Sequence, residues 1–461
     1  MPNLTQKTPV PTNYHIVSLI EQLLTPVPKG TALALCDILC AMGSGYFIES
    51  GGAIMPAVDQ YLRQTIEDEE ERAARSRRAA KAITYGQYNL KELVDVQQEM
   101  IKGSSEWHET IIQGYKIKAA DFTSYKRSSV KNLKSKAYDG DVGRAIPAVS
   151  YGLLGSIGQV GEQRMAVPEV MVCGDTTDNA PSKEMTRFYK EVAKAIGEHD
   201  LVTFDAGFSL VQAIEAGIEN CLIRLAKNST FGKTVGKIPE RQGERGRLPT
   251  KHRAEIVRPL ARQHGKKVLP ATPPDQTLFQ TNEDGHEIKI EIWHNLYFLE
   301  RQIEQVENRS LRNKLRQTPL KVVAIHHPLY KTPQLLGTPC TDLTAESMQQ
   351  IYPERWPIEG IPQAGKYLLS GGGGRHYVYH PTAMERLPAI TMILGSLFKF
   401  VAATLPPIKT GFWDRAVKPT YGRLVRHLKK VGLPLSTQLF KKESVTHHLP
   451  VGYEAIRLSR A

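Results

Sequence analysis

The 461-residue sequence predicts a mixed α/β fold that follows a helical N-terminal region. Two patterns support this prediction. Apolar residues recur at helical spacing within residues 14–115, whereas from residue 116 short apolar runs alternate with amphipathic segments. With 41% hydrophobic and 23% charged residues the chain can bury a core, which excludes a mostly disordered protein.

The N-terminal helices are indicated by three patterns in succession. Ile16, Leu19, Ile20 and Leu23 share one face of a helix. The run 67–81 begins with acids and ends with bases, which is typical of a solvated helix. The stretch from Tyr85 to Met100 has room for a short helix-turn-helix, although that pattern is weak.

The α/β part begins with three predicted strands, near 116–123, at 145–156 and at 163–173. An amphipathic helix follows at 182–199, with Ser182 as its expected N-cap. Residues 201–207 form a strand that ends in a turn. A short helix and a further strand come next, which together favour a mixed sheet.

Three more regions complete the predicted organisation. Residues 228–339 contain alternating apolar and polar segments and are expected to be a β-rich insertion. Helices return at 341–368 and 383–405, with a run of four glycines between them. The tail from residue 406 is basic and contains prolines. No repeat of 20–50 residues is present in the sequence.

The charge of the chain indicates a polyanionic partner. Lysine and arginine number 60 and aspartate and glutamate 47, which gives a net charge of +13. Residues 229–268 and 408–461 each carry eleven basic and three acidic side chains. Neither segment has a strong apolar face beside its charge, so nucleic acid explains them better than a membrane.

The compartment is expected to be reducing. Five cysteines in 461 residues do not suggest a disulfide scaffold, the first residues lack the layout of a secretory signal, and no uninterrupted apolar run reaches the length of a membrane span. We therefore expect a cytoplasmic protein with no membrane partner.

Three carboxylates are candidates for a metal site. Asp121 and Asp205 each follow an apolar strand, and Glu359 lies in a later helical segment. Carboxylates at neighbouring strand ends can converge, and two Mg²⁺ ions need hard oxygen ligands to act on a phosphodiester. The alternative is that each carboxylate caps a turn, which is the common role of a single aspartate.

The segment around Glu359 favours the metal site. Tyr352, Arg355, Glu359 and Lys366 follow one another at spacings that place them within an arc of about 60° on a helix. One face would then carry a metal ligand, two cations and a hydroxyl group, which suits a DNA phosphate held beside a metal. Pro357 and Pro362 interrupt this pattern, so Glu359 is expected in an irregular turn, with a regular helix only from there onward.

The spacing Y-x2-R-x3-E-x6-K resembles the YREK signature of cut-and-paste insertion-sequence DDE transposases. The resemblance covers roughly residues 115–405, including DFT at 121–123 and FDAGF at 204–208. It implies a ribonuclease H-like core with a β-rich insertion. The implied domains are a helical DNA-binding domain (1–114), the core in two parts (115–227 and 340–405), the insertion (228–339) and a basic C-terminal region (406–461).

The resemblance also implies roles for particular residues. Asp121, Asp205 and Glu359 would bind two Mg²⁺ ions, with Mn²⁺ as a possible substitute. Contacts to the phosphates at the transposon end would come from Tyr352, Arg355 and Lys366. Apart from the resemblance, the position of Arg224, Lys227 and Asn228, just after the strand that follows Asp205, suggests that they could also face DNA. The aromatic ring of Trp356 could stack on a flipped base.

The predicted function is that of a DNA transposase that hydrolyses phosphodiester bonds and transfers strands at transposon ends. Its partners would be double-stranded DNA, as terminal inverted repeats and as target, and a second copy of the chain on that DNA. One alternative is a catalytically silent DNA-binding regulator derived from a transposase. Another is a ribonuclease H-like nuclease without strand transfer.

Other motifs have simpler interpretations. The GKT at 232–234 lacks the earlier glycine of a phosphate-binding loop. Cys36 and Cys40 lie on an apolar helix and are expected to be core thiols rather than zinc ligands. The histidine pairs at 326–327 and 447–448 are interpreted as surface or turn residues. Trp293 could stack on a base but is more typical of a packing residue.

Overall fold

A computed structural model describes residues 12–435, except 128, 131, 132, 134, 141, 175–180, 234–254, 266, 282, 283, 407 and 409–419. Large parts of both basic segments, the side chain of Ser182 and the second histidine pair lie outside the described residues.

The mixed α/β fold predicted from the sequence is confirmed. The helices are α1 (Thr12–Leu23), α2 (Lys29–Gly43), α3 (Tyr46–Glu49), α4 (Ile54–Leu62), α5 (Glu69–Tyr85), α6 (Leu90–Lys102), α7 (Pro181–Ala195), α8 (Leu210–Glu215), α9 (Glu300–Ile303), α10 (Arg309–Gln317), α11 (Ala345–Ile351), α12 (Gly360–Ser370), α13 (Pro381–Thr404) and α14 (Tyr421–Val431). A 3₁₀ helix (Tyr352–Glu359) precedes α12.

The strands are β1 (Trp107–Glu109), β2 (Ile111–Ile112), β3 (Tyr115–Lys126), β4 (Lys136–Asp139), β5 (Arg144–Val160), β6 (Gln163–Cys173), β7 (Asp200–Phe204), β8 (Cys221–Arg224), β9 (Phe231–Lys233), β10 (Glu255–Val257), β11 (Arg262–His264), β12 (Lys267–Leu269), β13 (Gln276–Thr281), β14 (Glu287–Tyr297), β15 (Leu320–His326) and β16 (Gln334–Thr338). They alternate with helices from β6 to β8, as the sequence pattern indicates.

The chain folds into two compact units. The first unit contains the described residues of Met1–Thr110, Asp121–Met185 and Trp356–Ala461, and the second contains those of Ile111–Ala120 and Thr186–Arg355. The chain therefore passes between the units four times: between β1 and β2, within β3, within α7 and within the 3₁₀ helix.

The N-terminal helices of the first unit are capped and packed as their sequence indicates. The Asp68 side chain accepts hydrogen bonds from the first backbone N–H groups of α5, and Asn89 does the same for α6. Between α2 and α5, the buried Arg75 guanidinium contacts both carboxylate oxygens of Asp37, the nearer at 2.7 Å. Cys36 and Cys40 are buried in α2, which confirms that they are core thiols.

The sheet of the first unit is antiparallel around β5. Strand β6 pairs with β5 from Tyr151 to Val160. Strand β1 also pairs with the end of β5, at residues 158–160, and β4 pairs with its start, at residues 144–147. Residues 121–126 of β3 also belong to this unit, and the next residue, Arg127, donates its backbone N–H to the Pro147 carbonyl at 2.6 Å.

Helix α13 lies in the core of the first unit. It is long and apolar enough to cross a membrane by length and composition, but 83% of its most apolar window is buried inside the protein, as in a core helix. It packs against α12 at a distance that only glycine permits. A Cβ on Gly395 would lie 2.9 Å from Ala364 and from the Gly365 nitrogen.

The second unit combines parallel and antiparallel strands. Residues 116–119 of β3 pair in parallel with β7, and β7 pairs in parallel with β8. Beyond β8 the order is β16, β15, β14, β9 and β10, all antiparallel, and β13 also pairs with β14. Buried Lys118 contacts Asp200 at 2.9 Å on the first parallel pair.

The β-rich character of residues 228–339 is confirmed for the described residues, but this region also contains α9 and α10. The sequence predicts one helical segment over residues 341–368. The structure instead has a 3₁₀ helix, which contains Pro357, between α11 and α12. Proline lacks an N–H and fixes its own φ, so a tighter, irregular turn replaces the regular helix here.

The glycine contact between α12 and α13 can be tested by a matched pair of substitutions. Gly395→Ala forces atoms of α12 to move, so we expect the free energy of unfolding to fall by about 1–2 kcal/mol. Gly30→Ala, at a helical position with no atom within 4 Å of the new Cβ, should instead raise it by about 0.4–1 kcal/mol. Urea denaturation of both variants measures the difference, and a Gly395→Ala variant at least as stable as Gly30→Ala would contradict the packing described.

Candidate active site

A pocket of about 630 Å³ opens on the first unit. The carboxylates of Asp121 and Glu359 both line it, although they come from distant parts of the sequence. Its wall also contains Lys366 and Gln363 from α12, together with Tyr367 and Tyr421. Two carboxylates, a cation and aromatic side chains therefore share one open, largely polar cavity.

Asp121 reaches this pocket because β3 leaves the core at this residue. Ile117 to Ala120 are buried, and the next four residues from Asp121 are only partly covered. Asp121 Oδ1 accepts the N–H of Phe122 at 2.8 Å, which fixes one carboxylate oxygen close to the backbone. The sequence prediction that Asp121 follows a buried strand segment is confirmed.

Glu359 ends the 3₁₀ helix and precedes α12. Its side chain is exposed, while the flanking Ile358 and Gly360 are buried. A Cβ on Gly360 would overlap the amino group of Lys399 from α13. The backbone beside Glu359 is therefore held tightly against α13, and the carboxylate is directed outward.

Lys366 connects α12 to β3. Its amino group donates to Thr123 Oγ1 at 3.1 Å and lies 5.3 Å from the centre of the Tyr125 ring. Burial, and then the charge of Lys126, lower the pKa of Lys366, whereas Asp121 opposes that shift. A cation that is partly stripped of water beside a carboxylate is suited to bind an anionic ligand.

Asp205 lies in the second unit, directly after the fully buried strand β7. The Tyr352 hydroxyl donates to Asp205 Oδ1 at 3.1 Å, and Arg224 Nη1 lies 3.7 Å from the same oxygen. Burial and the charge of Asp205 raise the pKa of Tyr352 to about 12, although Arg355 and Arg224 act in the opposite direction. The phenol therefore keeps its proton at neutral pH and remains a donor to Asp205.

The other predicted DNA contacts differ in accessibility. Tyr352 and Arg355 are only 1% and 2% exposed. Lys227 and Asn228 are exposed in the loop after β8, where the backbone carbonyl of Asn228 accepts a hydrogen bond from Arg262 at 3.0 Å. Lys227 and Asn228, and in part Arg224, present polar side chains to solvent in this structure.

The two tryptophans that could stack on a base have different environments. Trp356 is 53% exposed. Trp293 is 1% exposed, and its Nε1 donates to the carbonyls of Thr272 and Pro273. The suggestion that Trp293 stacks on a base is therefore wrong, because both its ring and its polar atom are used in packing.

The chemistry of the pocket fits a hard divalent cation. Asp121 and Glu359 supply carboxylate oxygens to an open, polar cavity, which are the ligands that Mg²⁺ and Mn²⁺ prefer. Within the part of the chain that the structure describes, no group of three or more His, Cys, Asp or Glu side chains is arranged to hold a metal ion.

Several residues of the pocket were not predicted from the sequence. Thr123 contacts Lys366, Tyr421 comes from the C-terminal region, and the Tyr367 and Tyr421 rings pack edge to face at 5.3 Å. Lys399 supports the backbone beside Glu359. In the sequence, Lys399 is marked only as a charge within the apolar run of α13. Thr123, Tyr367 and Tyr421 have no sequence signal, because their roles depend on contacts between distant segments.

Comparison with known proteins supports the class that this site suggests. Residues 162–369, somewhat less than half of the chain, match the family described as the transposase DDE domain. The matched range contains Asp205, Glu359 and all four YREK positions, whereas Asp121 precedes it. No curated protein matches the sequence.

The family match supports an insertion-sequence DDE transposase. Such a domain implies a ribonuclease H-like fold, a divalent metal ion and DNA as the partner. It also implies a nuclease and strand-transferase enzyme that acts on DNA in the cytoplasm.

The accessibility of Trp356 can be measured by fluorescence. We expect Trp356→Phe to lower the fraction of tryptophan emission that acrylamide quenches, because the Trp356 ring is half exposed. Trp293→Phe, the matched control, removes a buried ring and should raise that fraction instead. Equal quenching in the wild type and in Trp356→Phe would show that Trp356 is covered in solution.

Proposed function

We propose that this protein is a cut-and-paste DNA transposase of the YREK-signature group, which cleaves and joins DNA at transposon ends. The observation that carries the proposal is the shared pocket of Asp121 and Glu359, with Lys366 beside them. Carboxylates together with a cation suit the cleavage of a phosphodiester, whose oxygens are negatively charged.

Asp121, Glu359 and Asp205 would hold Mg²⁺, as two ions, with Mn²⁺ as a substitute. These ions would supply an activated water and neutralise the charge that develops on the phosphate oxygens. Lys366 would bind a phosphate oxygen at the wall of the pocket, where its reduced hydration strengthens the interaction. Tyr352 would hold Asp205 in one orientation by donating its hydroxyl proton.

The burial of Tyr352 and Arg355 favours a positioning role for both, rather than direct contact with DNA. Tyr352 acts through Asp205, which its hydroxyl contacts. Trp356 and Lys366 are more accessible and are the stronger candidates for contact with the transposon end. Arg224, Lys227 and Asn228 would extend that contact along the loop after β8.

The DNA partner is proposed to be double-stranded, first as terminal inverted repeats and then as target. The helical region 1–114 would recognise the repeats. The core ranges 115–227 and 340–405 would carry the chemistry, and the basic regions 228–339 and 406–461 would bind phosphates without regard to sequence. Two ends must be joined, so a homodimer on DNA is expected.

Replacement of each carboxylate tests the catalytic proposal. We expect Asp121→Asn, Asp205→Asn and Glu359→Gln each to reduce Mg²⁺-dependent cleavage of the element's own ends by about 10²–10³-fold or more, because each removes a charged ligand. Binding of the same DNA in EDTA should stay within about twofold of the wild type, since it needs no metal. Cleavage is measured on gels with labelled end fragments.

Glu162→Gln, an exposed acid in the turn between β5 and β6, is the matched control and should cleave normally. Retention of full cleavage by Asp205→Asn would refute the proposed ligand set. Wild-type protein that binds the ends but never cleaves them with Mg²⁺ or Mn²⁺ would favour the silent regulator. Nicked products without joined DNA would favour a nuclease that lacks strand transfer.

A further inference from the structure

The segment between α12 and α13 presents a row of large side chains to solvent. From residue 374 to 379 the exposure alternates, since Arg375, Tyr377 and Tyr379 are exposed while Gly374 and His376 are buried. Tyr377 is 58% exposed and Tyr379 is 61% exposed. An alternation of period two means that the three exposed side chains lie on one side of an extended chain.

The backbone of this segment is held in place by buried groups. The guanidinium of Arg127, which is 3% exposed, donates to the carbonyls of His376 and Val378, the latter at 2.6 Å. The N–H of Arg375 donates to Ser370 Oγ at 2.8 Å. A Cβ on Gly52 would overlap the Arg375 carbonyl, so α3 and its following turn press closely against the segment.

Because the backbone of this segment is fixed, little conformational entropy is lost when a ligand stacks on the tyrosine rings. A tyrosine has few rotatable bonds, so fixing its backbone leaves little freedom to lose when a ligand stacks on the ring. The Arg127 guanidinium also lies 5.5 Å from the centre of the Tyr379 ring and supports it from the protein side.

The chemistry of this row matches an unpaired nucleic-acid strand. Exposed aromatic rings beside cations bind single strands, because bases stack on the rings and the cations attract the phosphates. Here Arg375, Tyr377 and Tyr379 follow one another on the same side of the segment. A single exposed tyrosine on a protein surface needs no explanation. Two exposed tyrosines on the same side of a fixed segment, beside an arginine, resemble a surface on which bases stack.

The spacing of the rings distinguishes a single strand from a duplex. Side chains two residues apart in an extended chain are about 6.6–6.8 Å apart, which is roughly twice the 3.4 Å rise of stacked nucleotides. Bases that stack on both rings cannot stack directly on each other, so the bound strand must be splayed. Duplex DNA keeps its bases stacked and does not fit this row.

The row begins at the edge of the candidate active site. Gly371 and Gly372, at the start of the same segment, line the pocket that contains Asp121 and Glu359. We propose that Arg375, Tyr377 and Tyr379 form a binding site for single-stranded DNA that leads away from this pocket. The proposal rests on the proposed function for the origin of that strand, but the binding itself requires neither metal nor cleavage.

Binding in EDTA tests the site apart from catalysis. The full-length protein is titrated into a fluorescent single strand of about 20 nucleotides, longer than the roughly 4–16 that one such site covers, and into the corresponding duplex. We expect Tyr377→Ala and Tyr379→Ala each to weaken single-strand binding by about 5–150-fold, while duplex affinity changes by less than about twofold.

Matched variants keep the test specific. Tyr377→Phe and Tyr379→Phe keep a stacking ring and should retain most of the affinity. Tyr138→Ala removes an exposed tyrosine from β4 and should have no effect. Thermal unfolding of each variant shows whether it is folded, and the phenylalanine variants report on the site even if an alanine variant is unstable.

Two outcomes would overturn the proposal. One is a Tyr377→Ala/Tyr379→Ala variant that is folded and binds single strands like the wild type. The other is an equal loss of single-strand and duplex affinity, which would indicate a general DNA surface. If the variant loses only single-strand binding while the wild type never cleaves DNA, the single-strand site stands and the proposed function fails.

Discussion

The close contact between α12 and α13 is the constraint on which the candidate site depends. Gly365 and Gly395 let the two helices approach until backbone atoms of one touch the other. Helix α13 is itself buried in the core of the first unit, so α12 has a fixed support. From that position Lys366 reaches Thr123 on β3, and Glu359 at the start of α12 opens into the same pocket as Asp121. A larger residue at either glycine would move both functional side chains together.

The elements that could be predicted from sequence are those whose pattern is local. Strand β6 occupies residues 163–173 as expected, because a continuous apolar run flanked by polar residues has few other conformations. Strand β7 and helix α8 also lie where the pattern placed them, and Ser209 caps α8 through a hydrogen bond to the backbone of Gln212. Asp121 and Asp205 were found for the same reason, since each follows the buried part of a strand.

The features that could not be predicted depend on distant contacts or on weak local patterns. Helix α10 is mostly polar, so the alternating segments around it dominated the prediction of a β-rich region. The role of Thr123 becomes visible only when α12 is packed beside β3. The sequence favours a packing role for Trp293, but it does not identify the two carbonyl groups, about 20 residues away, that accept its N–H. The partition into two compact units also had no signal, because it cuts through regular elements rather than linkers.

The long separation of Asp121 and Glu359 in the chain has a consequence during protein synthesis. A ribosome that adds roughly 5–20 residues per second needs about 10–50 s to pass from one to the other. The supporting helix α13 follows Glu359 and emerges later still. A nascent or prematurely terminated chain therefore carries Asp121 without the opposite wall of its pocket. Only a chain translated past residue 404 can assemble both walls, so incomplete products lack the pocket.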